Sequence, residues 1–99
     1  MILIDENLLD IFRHKTTCEY CGKKVRTGLD PAHVFSRGAG RVDHAWNLVA
    51  LDRTCHTNHH FGMSPTRAEL LEIIARREGV LAESIAAEIY RIRRKGLKL

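Results

Sequence analysis

Long apolar runs are missing from this chain. No stretch is long enough to span a bilayer. The first residues, MILIDENLLDIF, lack both the basic start and the apolar core of a secretory signal. Neither membrane insertion nor export is expected, and a cytoplasmic setting is. Cysteine is scarce and odd in number, three in 99 residues. An odd count without an export signal argues against a disulfide framework and for thiolates held on a metal. There is no internal repeat. The charge is only mildly basic, +4 with a pI near 9.3. That is compatible with nucleic acid but does not by itself select it. So short a chain fits one domain, residues 1–99, with a core small enough to benefit from a staple such as a metal. Histidine stands out: there are six, and His33, His44, His56, His59 and His60 fall in the middle third.

Three zones follow from the local patterns. Residues 1–15 predict a short amphipathic helix, with Asp5 as N-cap and Leu8, Leu9, Ile11 and Phe12 on its apolar face. Residues 16–62 are rich in Gly, His and Cys. CEYCGKK reads as a knuckle-like turn, LDPAHVF and NLVAL as short strands, and SRGAGRVDHAW as a loop. DRTCHTNHHF opens a helix that Gly62 can end. In residues 63–99, Pro65 is expected at a first helical position and Thr66-x-x-Glu69 forms a capping box. Leu70, Leu71, Ile73 and Ile74 supply that helix's apolar face, and Gly79 stops it. A last helix, from about Leu81 to Lys95, carries Leu81, Ile85, Ile89 and Ile92 on one stripe and ends in the basic run RIRRKGLK.

Cys18-x-x-Cys21 places two sulfurs on one tight turn, as two corners of a zinc tetrahedron require. Cys55 is the remaining thiol and the third ligand of such a site. Two residues compete to be the fourth. His59 lies one helical turn after Cys55; Asp52 lies three residues before it, where a second knuckle would normally carry a cysteine. Zinc's preference for nitrogen and sulfur in closed sites favours His59. His56 and His60 are also four apart, on a helical face rotated by about 100° from the Cys55/His59 pair. That is the spacing with which helices chelate a divalent cation. Two interleaved pairs suit two ions better than one.

The histidines sit in a longer pattern, His33-x13-Asn47-x8-His56-x3-His60, within AHVFSRGAGRVDHAWNLVALDRTCHTNHH. In order, spacing and the NLVAL strand between, this resembles the HNH endonuclease family, the ββα-metal nucleases, in a zinc-stapled phage or bacterial form. The resemblance covers about residues 16–62. It implies an α+β fold: a small ββα-metal core with a structural zinc knuckle, flanked here by an N-terminal helix and two C-terminal helices. It implies a metal-dependent endonuclease that hydrolyses phosphodiester bonds of DNA, double-stranded DNA above all, inside a bacterial cell or phage-infected host. His33 would be the general base that activates water. Asn47 would hydrogen-bond loop backbone and fix the strand of His33. His56 and His60 would hold the catalytic cation, Mg²⁺, Mn²⁺, Ni²⁺ or Zn²⁺. Cys18, Cys21, Cys55 and His59 would hold the structural zinc. From charge and position, Arg37 and Arg41 are expected to grip flanking phosphates. Two positions depart from the family pattern. Ala32 stands where members commonly have a metal-binding Asp or His, so a third ligand would come from Asp30, Asp43 or His44; and Asp52 stands where the second knuckle has a cysteine. The alternatives are a non-catalytic zinc module that binds nucleic acid or protein, and a latent nuclease subunit. In the latter case the C-terminal helices would form a homodimer or recruit a partner.

Overall fold

Two fully buried polar residues, Asp43 and Asn47, lie just ahead of the second of two short strands. The computed structural model describes residues 3–26, 28–35 and 40–97, with the side chains of the last helix described up to Arg94. Four helices and a two-stranded antiparallel sheet make an α+β fold among these residues. The order is α1 (Glu6–Arg13), β1 (Asp30–His33), a 3₁₀ turn (Ala45–Asn47), β2 (Leu48–Leu51), α2 (Arg53–His60), α3 (Arg67–Glu78) and α4 (Ala82–Leu97). Asp30 pairs with Leu51 and His33 with Leu48. β1, β2 and α2 thus form the expected ββα unit. No described helix is long and apolar enough to cross a membrane.

β2 is buried at every residue, because α1, α2 and α3 all pack against the short sheet or its β2 strand. Strand β1 is half-buried, with Ala32 alone fully inside. The departure at Ala32 therefore has a structural side: the position faces the core, where a small side chain fits.

The helix signals act where the sequence puts them, with local corrections. Asp5 caps α1 by accepting from the Leu8 N–H at 3.0 Å. Leu9 and Phe12 are buried, whereas Ile11 is exposed, so the apolar face is narrower than expected. Thr66 and Glu69 form the capping box of α3. Pro65 therefore precedes the N-cap and does not occupy the first helical position. Gly79, at φ +70°, ends α3 in the left-handed conformation. Ile85 of α4 shares the core cluster with Leu70 and Ile74 of α3, and Ile89 is also buried, while Leu81 is exposed. Two of the four residues of that stripe, Ile85 and Ile89, are thus covered within the chain, and Ile92 is half-buried.

One cation ties these layers together. Arg77 of α3 donates from Nη1 to both carboxylate oxygens of Glu19 at 2.9 Å, and from Nη2 to the carbonyls of Ala45 and Leu48. Its guanidinium also lies 5.1 Å from the Phe12 ring centroid. Glu19 in turn accepts from the Ala50 N–H at 2.8 Å, while its own N–H donates to the Ala50 carbonyl at 2.9 Å. Through this pair the segment carrying Cys18 and Cys21 is fastened to β2.

Candidate functional site

The three thiols meet at the start of α2. Cys18 is buried at the head of a turn in which its N–H donates to the Lys23 carbonyl (2.9 Å) and the Gly22 N–H donates to the Cys18 carbonyl (3.0 Å). Gly22 adopts φ +79°, which a side chain would strain. The turn brings Cys21 back toward Cys55, the third helical residue of α2. Cys18, Cys21, Cys55 and Asp52 each offer a ligand atom, and these four atoms lie within 4.8 Å of one another. This cluster can hold a metal ion. A tetrahedral ion with thiolate bonds of about 2.3 Å spaces its sulfurs about 3.8 Å apart, so only a small contraction is needed.

The fourth member corrects the expectation. It is Asp52, not His59. Asp52 is the N-cap of α2, and its Oδ1 accepts from the Cys55 N–H at 2.9 Å. That bond holds the other oxygen, Oδ2, 2.9 Å from the Cys21 sulfur and 3.5 Å from the Cys55 sulfur. A cysteine at this position would be a poorer cap. His59 instead donates from Nδ1 to the Pro65 carbonyl at 2.7 Å, across the turn that leads to α3. Hydrogen bonds from Cys21 and from the Cys55 backbone hold the Asp52 carboxyl down at about 2. Burial, reinforced by the neighbouring thiols, pushes the Cys55 thiol well up, and the hydrogen bond to Asp52 raises Cys21. Both shifts favour the thiol form of Cys21 and Cys55, so metal uptake must release protons there.

Four histidines, His33, His56, His59 and His60, open onto a cleft of about 720 Å³ whose lining also includes Met63 and Arg67. His56 and His60 converge there: their Nε2 atoms are 3.1 Å apart. Two imidazole nitrogens bound to one ion at about 2.1 Å lie about 3.0–3.4 Å apart, so the pair is spaced to share a cation. Asp30 accepts from His56 Nδ1 at 3.0 Å, which leaves the lone pair of the neutral ring on Nε2. Asp30, weighed as a third ligand, is thus the orienting partner of His56, and it also pairs with Arg53 at 3.0 Å.

His33 enters from β1. Its Nε2 is 2.7 Å from Asp43 Oδ1. Asp43 is fully buried. Burial pushes its carboxyl up, but hydrogen bonds from Arg41, the Asp5 backbone and His33 outweigh that and bring it down to about 2. An ionised carboxylate only accepts, so Nε2 carries the proton and the neutral His33 ring bears its lone pair on Nδ1. Asp43, weighed only as a metal ligand, is thereby the orienting partner of His33. The signal that could have found both carboxylates is general: a working imidazole usually hands its second nitrogen to a carboxylate or carbonyl.

Asn47 is fully buried. It accepts from the Phe35 N–H at 2.7 Å and donates to the carbonyls of Val42 (2.9 Å) and Phe35 (3.4 Å), joining the two ends of the loop. Its carbonyl accepts from the Val34 N–H, next to His33. Arg41 is a second correction. Instead of standing free to grip phosphate, its guanidinium is bound to Asp43 at 2.8 Å and to Glu6 at 3.1 Å, because an extended backbone puts residues 41 and 43 on the same side. Arg37 lies outside the described residues. His44 caps the 3₁₀ turn by accepting from the Trp46 N–H at 2.9 Å.

Comparison with protein-family models, curated proteins and solved structures finds no match to this chain.

Proposed function

We propose that this chain is a metal-dependent DNA endonuclease whose core is stapled by zinc. One observation carries the reading: His33 and the His56/His60 pair, far apart in sequence, line one cleft. The pattern shared with HNH nucleases supports the same reading.

His33 is the general base. Held through Nε2 by Asp43, it takes a proton from water on Nδ1, and that water attacks the scissile phosphorus as the bond to the leaving 3′ oxygen breaks. The imidazolium that forms is stabilised by the Asp43 carboxylate. His56 and His60 would hold a divalent cation, Mg²⁺, Mn²⁺, Ni²⁺ or Zn²⁺, with Asp30 fixing the His56 ring. A cation there supplies charge neutralisation at the phosphate and the leaving oxygen. Asn47 keeps the loop ends and β1 in register so that His33 stays aimed into the cleft. Cys18, Cys21, Cys55 and Asp52 would hold zinc in a closed site of the structural kind. Thiols needed reduced for this role suit a cytoplasmic setting.

The test is nicking of supercoiled plasmid with each cation in turn. The wild-type chain should nick, and His33→Ala should be slower by about 10²–10⁴-fold. If both are equally inert across the series, the enzyme reading is wrong and a zinc-bound interaction module takes its place.

A further inference from the structure

Asp43 accepts more than the one bond that orients His33. Its Oδ1 lies 2.7 Å from His33 Nε2 and accepts from Arg41 Nε at 3.0 Å. Its Oδ2 accepts from Arg41 Nη2 at 2.8 Å and from the Asp5 N–H at 2.9 Å. The carboxylate is fully buried, so these bonds stand in for its hydration. The terminal torsion of an aspartate is otherwise broad, and a guanidinium fork across both oxygens fixes it. Arg41 is gripped in turn. Glu6, the first residue of α1, accepts from its Nη2 at 3.1 Å. The backbone on either side of Val42 is bonded to Leu3. The Leu3 N–H donates to the Arg41 carbonyl at 2.8 Å, and the Asp43 N–H donates to the Leu3 carbonyl at 2.7 Å. Asp5 has two tasks, since its side chain caps α1 while its N–H ends on Asp43. Leu3, Asp5 and Glu6, all outside the stretch that resembles a nuclease core, therefore converge on the segment that holds His33.

We propose that Arg41 is a positioning residue for the base of the cleft: spanning Glu6 and both oxygens of Asp43, it fixes the carboxylate that keeps the His33 proton on Nε2 and the lone pair on Nδ1. The inference rests on the nuclease reading of that cleft. A carboxylate free to turn would meet His33 at varying angles. The Nδ1-protonated tautomer, which cannot take a proton at Nδ1, would then gain population. Arg41 acts on the chemical step without touching DNA. A gripping arginine adds binding energy, and its loss appears in KM, whereas the loss of a positioning arginine appears in kcat. A purely structural Arg41 would appear only in the melting temperature.

Two measurements on the full-length chain loaded with zinc test this. ¹⁵N spectra of the histidine rings, taken at a pH where the rings are neutral, report which nitrogen of His33 carries the proton. Plasmid nicking with added divalent cation gives kcat and KM. Wild type should hold His33 in the Nε2-protonated form. Arg41→Gln should mix the two tautomers and lower kcat about tenfold, less than loss of Asp43 itself, with KM within about twofold of wild type. Arg41→Lys, which keeps the charge but cannot span both oxygens, should fall between. Melting temperatures are measured alongside; if Arg41→Gln melts early, Arg41→Lys decides. An unchanged His33 spectrum or an unchanged kcat in the deciding variant would overturn the proposal, and a raised KM at unchanged kcat would make Arg41 a phosphate contact instead. The two readings fail separately. If nicking depends on His33 but not on Arg41, the clamp has no catalytic role and the nuclease stands. If the chain does not nick while Arg41→Gln still mixes the His33 tautomers, the nuclease falls and the clamp remains as the device that orients His33.

Discussion

Helix α2 carries a cluster that can hold a metal ion at its first turn and, at its last, a histidine pair that we propose as cation ligands, and the two are built in opposite ways. At its first turn Cys55 joins Cys18, Cys21 and Asp52, a set of four from two short, tightly bonded segments, with Cys18, Cys55 and Asp52 buried. At its last turn His60 is exposed and its Nε2 meets that of His56, both residues lining a cleft. Behind the histidines stand carboxylates, Asp30 for His56 and Asp43 for His33. A closed set of four suits an ion whose work is to hold the fold, whereas an incomplete set leaves coordination positions for water and substrate. The difference shows how eight residues of one helix can serve two purposes: consecutive positions point about 100° apart.

The comparison breaks most visibly at the closed end. Cys18→Ser should remove metal and abolish the cooperative melt. Metal-coupled folding energy on the order of 10 kcal/mol matches or exceeds the whole stability of a small domain. Circular dichroism melting with metal analysis checks this, and a variant that melts and binds metal like wild type would remove the staple. Arg77→Ala comes next, at about 2–4 kcal/mol, because it strands Glu19 and two backbone carbonyls between knuckle, sheet and α3. Urea denaturation measures it.

Asp43→Asn probes the open end through pH. Asp43 is held at about 2 against an ordinary 3.8. Its carboxylate therefore contributes stability, about 2 kcal/mol, that is present above its ordinary value and is lost as pH falls through about 2. The stability gap between wild type and Asp43→Asn should be full at neutral pH and narrow between about pH 4 and pH 2. At neutral pH the variant should also nick about 10²-fold more slowly, since an amide can present its N–H to His33 and favour the wrong tautomer. A gap that does not change with acidification would contradict the ionic role of Asp43. The smallest effect is His59→Ala: about 1 kcal/mol from removal of the bond to Pro65, with metal content unchanged. Loss of metal in that variant would restore His59 to the cluster in place of Asp52.

Local devices were legible in the sequence. The Asp5 cap, the Thr66–Glu69 capping box, the Gly79 stop and both short strands need only neighbours within a few positions. The cleft histidines were legible as a spacing. Three features were not. The choice of Asp52 over His59 turns on a competing bond: helical periodicity puts Cys55 and His59 on one face, but the N-cap bond to the Cys55 N–H delivers the second Asp52 oxygen to the sulfurs. Arg41 looked like a solvent-facing loop cation because its second partner, Glu6, lies in α1. Arg77 looked like an ordinary basic residue in the last turn of α3, and its partners are Glu19, Ala45 and Leu48. For Arg41 and Arg77 neighbours remote in sequence complete the side chain's role, whereas for Asp52 a local N-cap bond overrides helical periodicity.

The division of labour on α2 is tested most directly by plasmid nicking with His56→Ala, on protein whose tightly held metal and melting temperature are measured in the same preparation. The account predicts that nicking falls by at least about 10²-fold while that metal and the melting temperature match wild type. Nicking at the wild-type rate, or tightly held metal lost together with activity, would contradict it.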